Sequence, residues 1–199
     1  MGNKMSPELI LIQYAQQLKE IGFVSVACNK GSISLKENDI IYITPSRLDY
    51  DSLEKEDITQ LDLSGNVILS KHKVSMDSQF HLAIYKARND VKSIVHTHSC
   101  YATSLAFAGK GFPMITFGVH LQLKEPVKCA DFFVPDDPCA NDAIVESLGT
   151  SNAVLLKNHG VITVGESIKK AFENTVFLEE TSKSYVHALQ IGTIEELDL

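Results

Sequence analysis

Ser32-Ile-Ser-Leu35 and Ile40-Ile-Tyr-Ile43 are two short runs of apolar and β-branched residues, and they begin a region of similar texture. Two further runs, Leu61-Asp-Leu63 and Val67-Ile-Leu69, flank the turn residues Ser64-Gly65-Asn66, which is the pattern of a β-hairpin. Strands joined by such short turns pair antiparallel. The first half of the chain therefore predicts a largely antiparallel sheet.

Helical spacing of apolar residues appears on both sides of this region. The predicted helices cover residues 7–21, 78–88, 99–108, 136–148 and 167–190. Three more apolar runs, at residues 91–98, 153–157 and 161–164, predict strands between the later helices. The pattern as a whole predicts a sheet covered by helices.

Length and composition restrict the classes of protein to consider. The chain has 199 residues, of which 44% are hydrophobic and 22% charged, so we expect one globular domain over residues 1–199. The net charge of −7 disfavours nucleic acid as a partner. No apolar run is long enough to predict a membrane helix, no signal peptide is recognisable, and the four cysteines form no CxxC pair. These features favour a cytoplasmic protein with reduced thiols.

Three histidines form the clearest chemical pattern. His96 and His98 are two residues apart in a predicted strand, so their side chains point to the same face. His159 lies in a turn between two strands and is followed by Gly160. Three imidazoles and an open position are typical of a catalytic zinc site.

The H-x-H pair taken alone leaves other interpretations open, since it also occurs in surface strands and in unrelated metalloenzymes. An amidohydrolase barrel needs about 250 residues, which this chain lacks. A cupin is disfavoured because too much of the chain is predicted to be helical. We expect His72, His81 and His187 to be solvated or structurally hydrogen-bonded.

Several motifs occur in the order and spacing of one known family. They are Gly31-Ser-Ile-Ser34, Ile43-Thr-Pro-Ser46, Ser75-Met-Asp77 with Phe80-His81, Val95-His-Thr-His-Ser99 with Tyr101-Ala-Thr103, and Leu156-Lys-Asn-His-Gly160. From about residue 8 to residue 190 the chain resembles the class II sugar-phosphate aldolase/epimerase family. The resemblance implies an α/β fold, a three-layer α/β/α domain whose central sheet is mainly antiparallel.

The resemblance also implies how the site is assembled. His96, His98 and His159 would bind a catalytic divalent metal, usually Zn2+, although imidazole ligands also accept Mn2+ or Co2+. Asp77 would be the acid/base, and its position before Ser78 also suits a helix N-cap. The expected assembly is a homotetramer with active sites at subunit interfaces.

The substrate-binding motifs depart from the family pattern. The resemblance implies phosphate binding by Gly31, Ser32, Ser46, Arg47 and Ser75, but Ser32 replaces an Asn and Arg47 replaces a Gly. Met76 replaces a Ser and removes a hydroxyl donor. Arg47 could bind phosphate or carboxylate, or it could be a solvated turn residue. Lys30 is a weaker candidate for the same role.

A second departure concerns the acid that protonates the leaving aldehyde. The aldolases of the family use a tyrosine in the segment that here reads Pro113-Met-Ile-Thr-Phe-Gly-Val-His120, where Phe117 has no hydroxyl. His120 could serve as an auxiliary acid or a fourth metal ligand. Tyr101 and Tyr185 are other hydroxyl donors that the sequence does not place.

The expected function is a metal-dependent lyase that cleaves a ketose 1-phosphate, like fuculose 1-phosphate, into dihydroxyacetone phosphate and an aldehyde. A pentulose-5-phosphate 4-epimerase is the main alternative, and a sugar-acid dehydratase or decarboxylase is the next. A non-catalytic family member is disfavoured because all three metal histidines are present. The expected partner is a small-molecule sugar phosphate, not a nucleic acid or a membrane.

Overall fold

The computed structural model describes residues 5–24, 31–132, 137 and 139–198. Eight strands lie within these residues: β1 (Ser32–Glu37), β2 (Ile40–Ile43), β3 (Thr59–Asp62), β4 (Val67–Leu69), β5 (Ser93–Thr97), β6 (Lys128–Ala130), β7 (Ala153–Leu156) and β8 (Gly160–Gly165). The same residues contain six α-helices: α1 (Pro7–Glu20), α2 (Ser78–Ala87), α3 (Cys100–Phe107), α4 (Phe117–Leu123), α5 (Ala140–Leu148) and α6 (Ile168–Ile191). Two short 3-10 helices, Tyr50–Ser52 and Lys55–Asp57, precede β3.

The strands form one sheet in the order β4-β3-β2-β1-β5-β8-β7-β6. All neighbours pair antiparallel except β6 and β7, which are parallel. The β3–β4 hairpin turns at residues 63–66, where the backbone N–H of Asn66 also donates to the Asp62 carboxylate. The largely antiparallel sheet that the turn residues predicted is confirmed.

Helices cover both faces of the sheet. On one face, side chains of α2 and α5 pack against β2, β5, β7 and β8 in a single buried cluster. On the other face, α1 and the start of α6 enclose one cluster, and α3, α4 and the middle of α6 enclose another. Ile94 and Val95 are consecutive and fully buried in clusters on opposite faces, as alternation along a strand requires. The three-layer α/β/α prediction is confirmed.

The register brings four chain segments to one end of the sheet. Ser32 at the start of β1 pairs with His96 near the end of β5, and Thr97 pairs with Val161 near the start of β8. The end of β2 lies beside the start of β1, because the N–H of Thr44 donates to the carbonyl of Ile33. Residues that follow β2 and β5 therefore meet residues that precede β1 and β8.

The structure differs from the sequence prediction at α4, at β6 and at the start of α5. The segment after α3 contains α4 and β6, which were not predicted because each is too short to show a period. Thr116 caps α4 by accepting from the N–H of Val119. The helix predicted from Asp136 begins at Ala140, and 133–136 and 138 lie outside the described residues. Across the described part of the chain, no helix combines the length and apolar character needed to cross a bilayer.

Candidate metal and substrate site

His96 is held rigidly inside the sheet. It is 1% exposed, and its Nδ1 donates to the carbonyl oxygen of Val161 at 2.9 Å. A neutral imidazole has one N–H, so this bond places the proton on Nδ1 and leaves the Nε2 lone pair free for a ligand. A backbone carbonyl that fixes a tautomer in this way is a common support for a metal-binding histidine.

The other two histidines converge on His96. His98 lies one residue beyond β5, and its Nε2 is 3.2 Å from Nε2 of His96. His159 lies in the β7–β8 turn, and the ring centroids of the three histidines are 4.8–5.0 Å apart. Their ligand nitrogens all lie within 4.8 Å of one another. Burial decreases from His96 to His98 to the exposed His159, so the group opens towards solvent.

Gly160 makes this convergence possible. A Cβ at this position would lie 2.6 Å from the carbonyl oxygen of Thr97, 2.8 Å from the His98 ring and 3.1 Å from the His96 ring. Gly31 is similarly close to the site, since its Cβ would lie 2.8 Å from the carbonyl oxygen of His96. Backbone therefore occupies the space behind the imidazoles, and no side chain fits there.

The histidine group fits a divalent metal in donor chemistry and in spacing. Zinc with nitrogen ligands at about 2.0–2.1 Å in tetrahedral geometry separates those nitrogens by about 3.3 Å. The 3.2 Å between Nε2 of His96 and Nε2 of His98 matches this separation. Three neutral nitrogen ligands with one open side is the donor set of a catalytic rather than a structural site.

Asp77 precedes α2 but does not cap it. Its side chain makes no capping hydrogen bond, so the N-cap alternative is not realised. Burial is the largest single effect on the pKa of the Asp77 carboxyl, and it raises that pKa. The nearby imidazoles, with His96 first, and a hydrogen bond from Ser32 together outweigh the effect of burial. The net pKa lies below the ordinary value for an aspartate. A carboxylate beside the imidazoles can accept or return a proton near a bound substrate.

Ser32 is placed between Asp77 and the protein interior. It is 2% exposed, and its Oγ lies 2.8 Å from Nε2 of His81 as well as bonding to Asp77. His81 is fully buried, and desolvation lowers its pKa to about 3, so it is neutral at ordinary pH. The expectation that His81 is structurally hydrogen-bonded agrees with these contacts.

The other predicted substrate-binding residues surround this end of the sheet. Ser75 is buried and accepts from the N–H of Asp77, whereas Met76 is 58% exposed. Ser46 follows β2 and donates its N–H to the carbonyl of Lys73. Arg47 is exposed, with φ of +63°. Lys30 lies outside the described residues.

The candidates for the acid that protonates the leaving aldehyde are not part of the group formed by the three histidines. His120 is exposed on α4 beside Phe117, and the metal-capable group found among the described residues does not include it. Tyr101 contacts His187, and Tyr185 packs on Phe112. The role of His120 stays a prediction.

Glu179 is a supporting residue that sequence reasoning missed. Its buried carboxylate on α6 accepts from the N–H groups of Tyr101 and Ala102 at 2.8 and 2.9 Å. These are orphan donors of the first turn of α3, which begins two residues after His98. The sequence did carry a signal for this role. Glu179 lies one turn after Thr175, on the face of α6 that is buried, and a carboxylate in such a position needs hydrogen-bond donors.

Comparison with known proteins places these features in a family. A family model described as "Class II Aldolase and Adducin N-terminal domain" matches residues 10–186. The L-fuculose phosphate aldolase of Methanococcus maripaludis strain S2 is 34% identical over 77% of this chain and 82% of its own. A 5-deoxy-D-ribulose 1-phosphate aldolase of Bacillus thuringiensis is 31% identical over 92% of this chain and 85% of its own.

Two further proteins complete the comparison: one is a relative named for another activity, and the other is a solved structure. A 3-oxo-tetronate 4-phosphate decarboxylase of Haemophilus influenzae is 29% identical over 88% of this chain and 85% of its own. The solved structure of an L-fuculose 1-phosphate aldolase superposes with a TM-score of 0.91 at 25% identity, over 98% of this chain and 92% of its own. The chain therefore belongs to the class II aldolase family, as one of its lyases.

Proposed function

We propose that this protein is a divalent-metal-dependent aldolase that cleaves a ketose 1-phosphate into dihydroxyacetone phosphate and an aldehyde. The observation that carries the proposal is the convergence of three imidazoles beside the carboxylate of Asp77. The relatives named as aldolases of sugar phosphates support the reaction class.

His96, His98 and His159 would hold the metal, which we propose to be Zn2+, with Mn2+ or Co2+ as other ions that imidazoles accept. When bound, the metal supplies Lewis-acid stabilisation of the negative charge on the oxygens of a hydroxyketone. Val161 fixes the ligating tautomer of His96 through its carbonyl, and Gly160 leaves room for the rings.

Asp77 would carry the proton. In cleavage, the Asp77 carboxylate takes up the proton of the C4 hydroxyl, and the C3–C4 bond breaks as C4 becomes the aldehyde carbon. The electron pair of that bond stays on C3, and the carboxyl of Asp77 then gives the proton to C3. In condensation, the carboxylate removes the same C–H proton from dihydroxyacetone phosphate. Its lowered pKa keeps Asp77 ionised in the free enzyme, which is the form that condensation requires.

Substrate phosphate would bind where backbone and hydroxyl donors surround the site. We propose Gly31, Ser46, Arg47 and Ser75 for this role. Phosphate binding by Ser32 stays a prediction, and its hydroxyl also hydrogen-bonds to Asp77. The guanidinium of Arg47 offers a fork that matches phosphate oxygens.

We further propose a cytoplasmic homotetramer with active sites at subunit interfaces, as the family resemblance implies. Exposed apolar side chains on α3 and α4 support a contact between subunits: Phe107, Phe117 and Leu121. Sedimentation of the purified protein measures this assembly directly.

The test of function is proton exchange at the hydroxymethyl carbon of dihydroxyacetone phosphate in heavy water. We expect stereospecific exchange with the metal-loaded protein, and loss of exchange after chelation, in His96→Ala and in Asp77→Asn. His187→Ala is the matched control, because His187 is exposed and outside the metal group. Undiminished exchange by the chelated protein would contradict the proposal.

A 3-oxo-acid phosphate decarboxylase is the second candidate, favoured by the relative of that name. Arg47 could bind a carboxylate as well as a phosphate. Metal-dependent release of CO2 from such an acid, together with no exchange in dihydroxyacetone phosphate, would favour this activity over the aldolase.

A further inference from the structure

A line of buried polar side chains leads from the protein interior to Asp77. Tyr85 OH lies 2.7 Å from Ser34 Oγ, and Ser34 Oγ lies 2.6 Å from Nδ1 of His81. On the other side of the ring, Nε2 of His81 lies 2.8 Å from Ser32 Oγ, which bonds to Asp77. Tyr85, Ser34, His81 and Ser32 are each at most 2% exposed.

Given the hydrogen bond between Ser32 and Asp77, one arrangement of protons satisfies this line. The carboxylate of Asp77 only accepts, so the hydroxyl of Ser32 must donate to it. The Ser32 oxygen then accepts from His81, which places the proton of the neutral imidazole on Nε2. Nδ1 consequently accepts from Ser34, and Ser34 accepts from Tyr85. Every proton points towards Asp77, and bonds aligned in one direction strengthen one another.

The neighbours of His81 hold its ring in place. Phe80 stacks on His81 with centroids 4.9 Å apart, and the same Phe80 meets the edge of His96 at 5.4 Å. Ser32 is the register partner of His96 across β1 and β5. The line therefore ends at the candidate site.

We propose that His81 is a positioning residue, whose Nε2–H tautomer makes the Ser32 hydroxyl a fixed donor that orients the Asp77 carboxylate. The inference rests on the proposed function in so far as Asp77 acts as the acid/base. Ser32 thereby acts as a hydrogen-bond donor to Asp77. This role explains why its hydroxyl is buried, although the family resemblance predicted that Ser32 binds phosphate.

The tautomer can be read without any activity measurement. In the zinc-loaded protein labelled with 15N-histidine, long-range proton–nitrogen spectra should show His81 protonated at Nε2 and bare at Nδ1. Asp77→Ala removes the final acceptor, so both tautomers become possible and the His81 nitrogen shifts should move towards each other. A His81 protonated at Nδ1, or an Nε2–H tautomer unchanged in Asp77→Ala, would overturn the proposal.

Kinetics then measure the consequence for turnover. His81→Phe should lower kcat at least tenfold with KM within about threefold and zinc content unchanged. His81→Gln keeps an N–H donor towards Ser32 and should recover part of kcat. Tyr85→Phe should lower kcat about two- to fivefold, whereas the matched control Tyr14→Phe, outside the line, should not.

The two readouts separate this inference from the function on which it rests. If the protein exchanges no proton with dihydroxyacetone phosphate, the proposed function fails, but the His81 spectra still test the alignment. If the protein is an active aldolase and His81→Phe retains full kcat, or changes only KM, then the positioning role is refuted and the function stands.

Discussion

At the scale of single residues, Arg47 combines a strained backbone conformation with a positive charge that suits an anionic substrate. Its φ of +63° lies in the left-handed region, which costs a residue with a Cβ about 1–2 kcal/mol. It follows Ser46 at the end of the sheet where the histidines converge, and its side chain is exposed. A strained backbone at the edge of a candidate site suggests that the guanidinium has a use there.

We therefore predict opposite effects of Arg47→Gly on stability and on substrate binding. The free energy of unfolding should rise by about 0.5–1 kcal/mol, since relief of strain exceeds the added entropy of the unfolded chain. KM for an anionic substrate should rise about tenfold or more, because a charged hydrogen bond is lost. Urea denaturation and steady-state kinetics measure the two effects.

Lys124 provides the matched control for Arg47. It is also exposed, has φ of +70° and ends α4. Lys124→Gly should stabilise the protein to a similar degree and leave KM unchanged. An unaltered KM in Arg47→Gly would mean that Arg47 is a solvated turn residue.

At the scale of elements, the start of α3 is held by α6. The first turn of any helix has N–H groups without partners, and here the Glu179 carboxylate accepts from two of them. The negative charge also complements the positive end of the helix dipole. Because α3 begins two residues after His98, this contact fixes the backbone that leads away from the candidate metal ligands.

Glu179→Gln should destabilise the protein by about 2 kcal/mol, because an amide group replaces one of the two accepting oxygens and the charge is lost. Zinc affinity should fall as well, since His98 would be held less firmly. Thermal unfolding and zinc titration measure these effects. Glu180→Gln is the control, since its exposed side chain should change stability by less than about 0.5 kcal/mol. Equal effects of the two substitutions would contradict the capping role.

At the scale of the whole molecule, burial of ionisable groups makes stability depend on pH. Burial lowers the pKa of His81 to about 3, far below its value in an unfolded chain. The pKa of Asp90 is lowered to about 2 by its bond with Arg88, and bonds from Glu54 N–H, His72 and Lys71 lower the pKa of Asp57. All three groups make the unfolded chain take up protons more readily than the folded one.

The sign of the pH dependence follows from these directions. Between about pH 6.5 and 4, the unfolded chain protonates His81 and the folded protein does not, so stability falls as pH falls. Below about pH 4 the carboxylates add to the loss. One proton of difference corresponds to about 1.4 kcal/mol per pH unit.

The variant His81→Gln should lose less stability than the parent between pH 7 and pH 5. Urea unfolding of both proteins in the presence of a chelator measures this, because neither protein then holds a metal ion. Parallel curves for the two proteins would contradict a neutral, buried His81.

The amino-acid sequence by itself determined most of the helices and strands. In the candidate site it determined that His96 and His98 face the same way. Spacings of two and 3.6 residues and the turn at residues 64–66 predicted most strands and helices, since these patterns arise between near neighbours in the chain. The alternation of a strand also placed His96 and His98 on one face. The extent of a single domain over residues 1–199 stays a prediction.

The tertiary structure decided which distant residues meet. His159 joins the other two histidines because β8 pairs with β5, and Glu179 caps a helix that begins 79 residues earlier because α6 packs on α3. His81 contacts Ser32 and Ser34 because α2 packs on β1. The sequence showed no partner for His81, whereas the structure places it at the centre of a line of hydrogen bonds. Such contacts depend on strand register and helix packing, and these are set by the burial of the whole core rather than by any local run of residues.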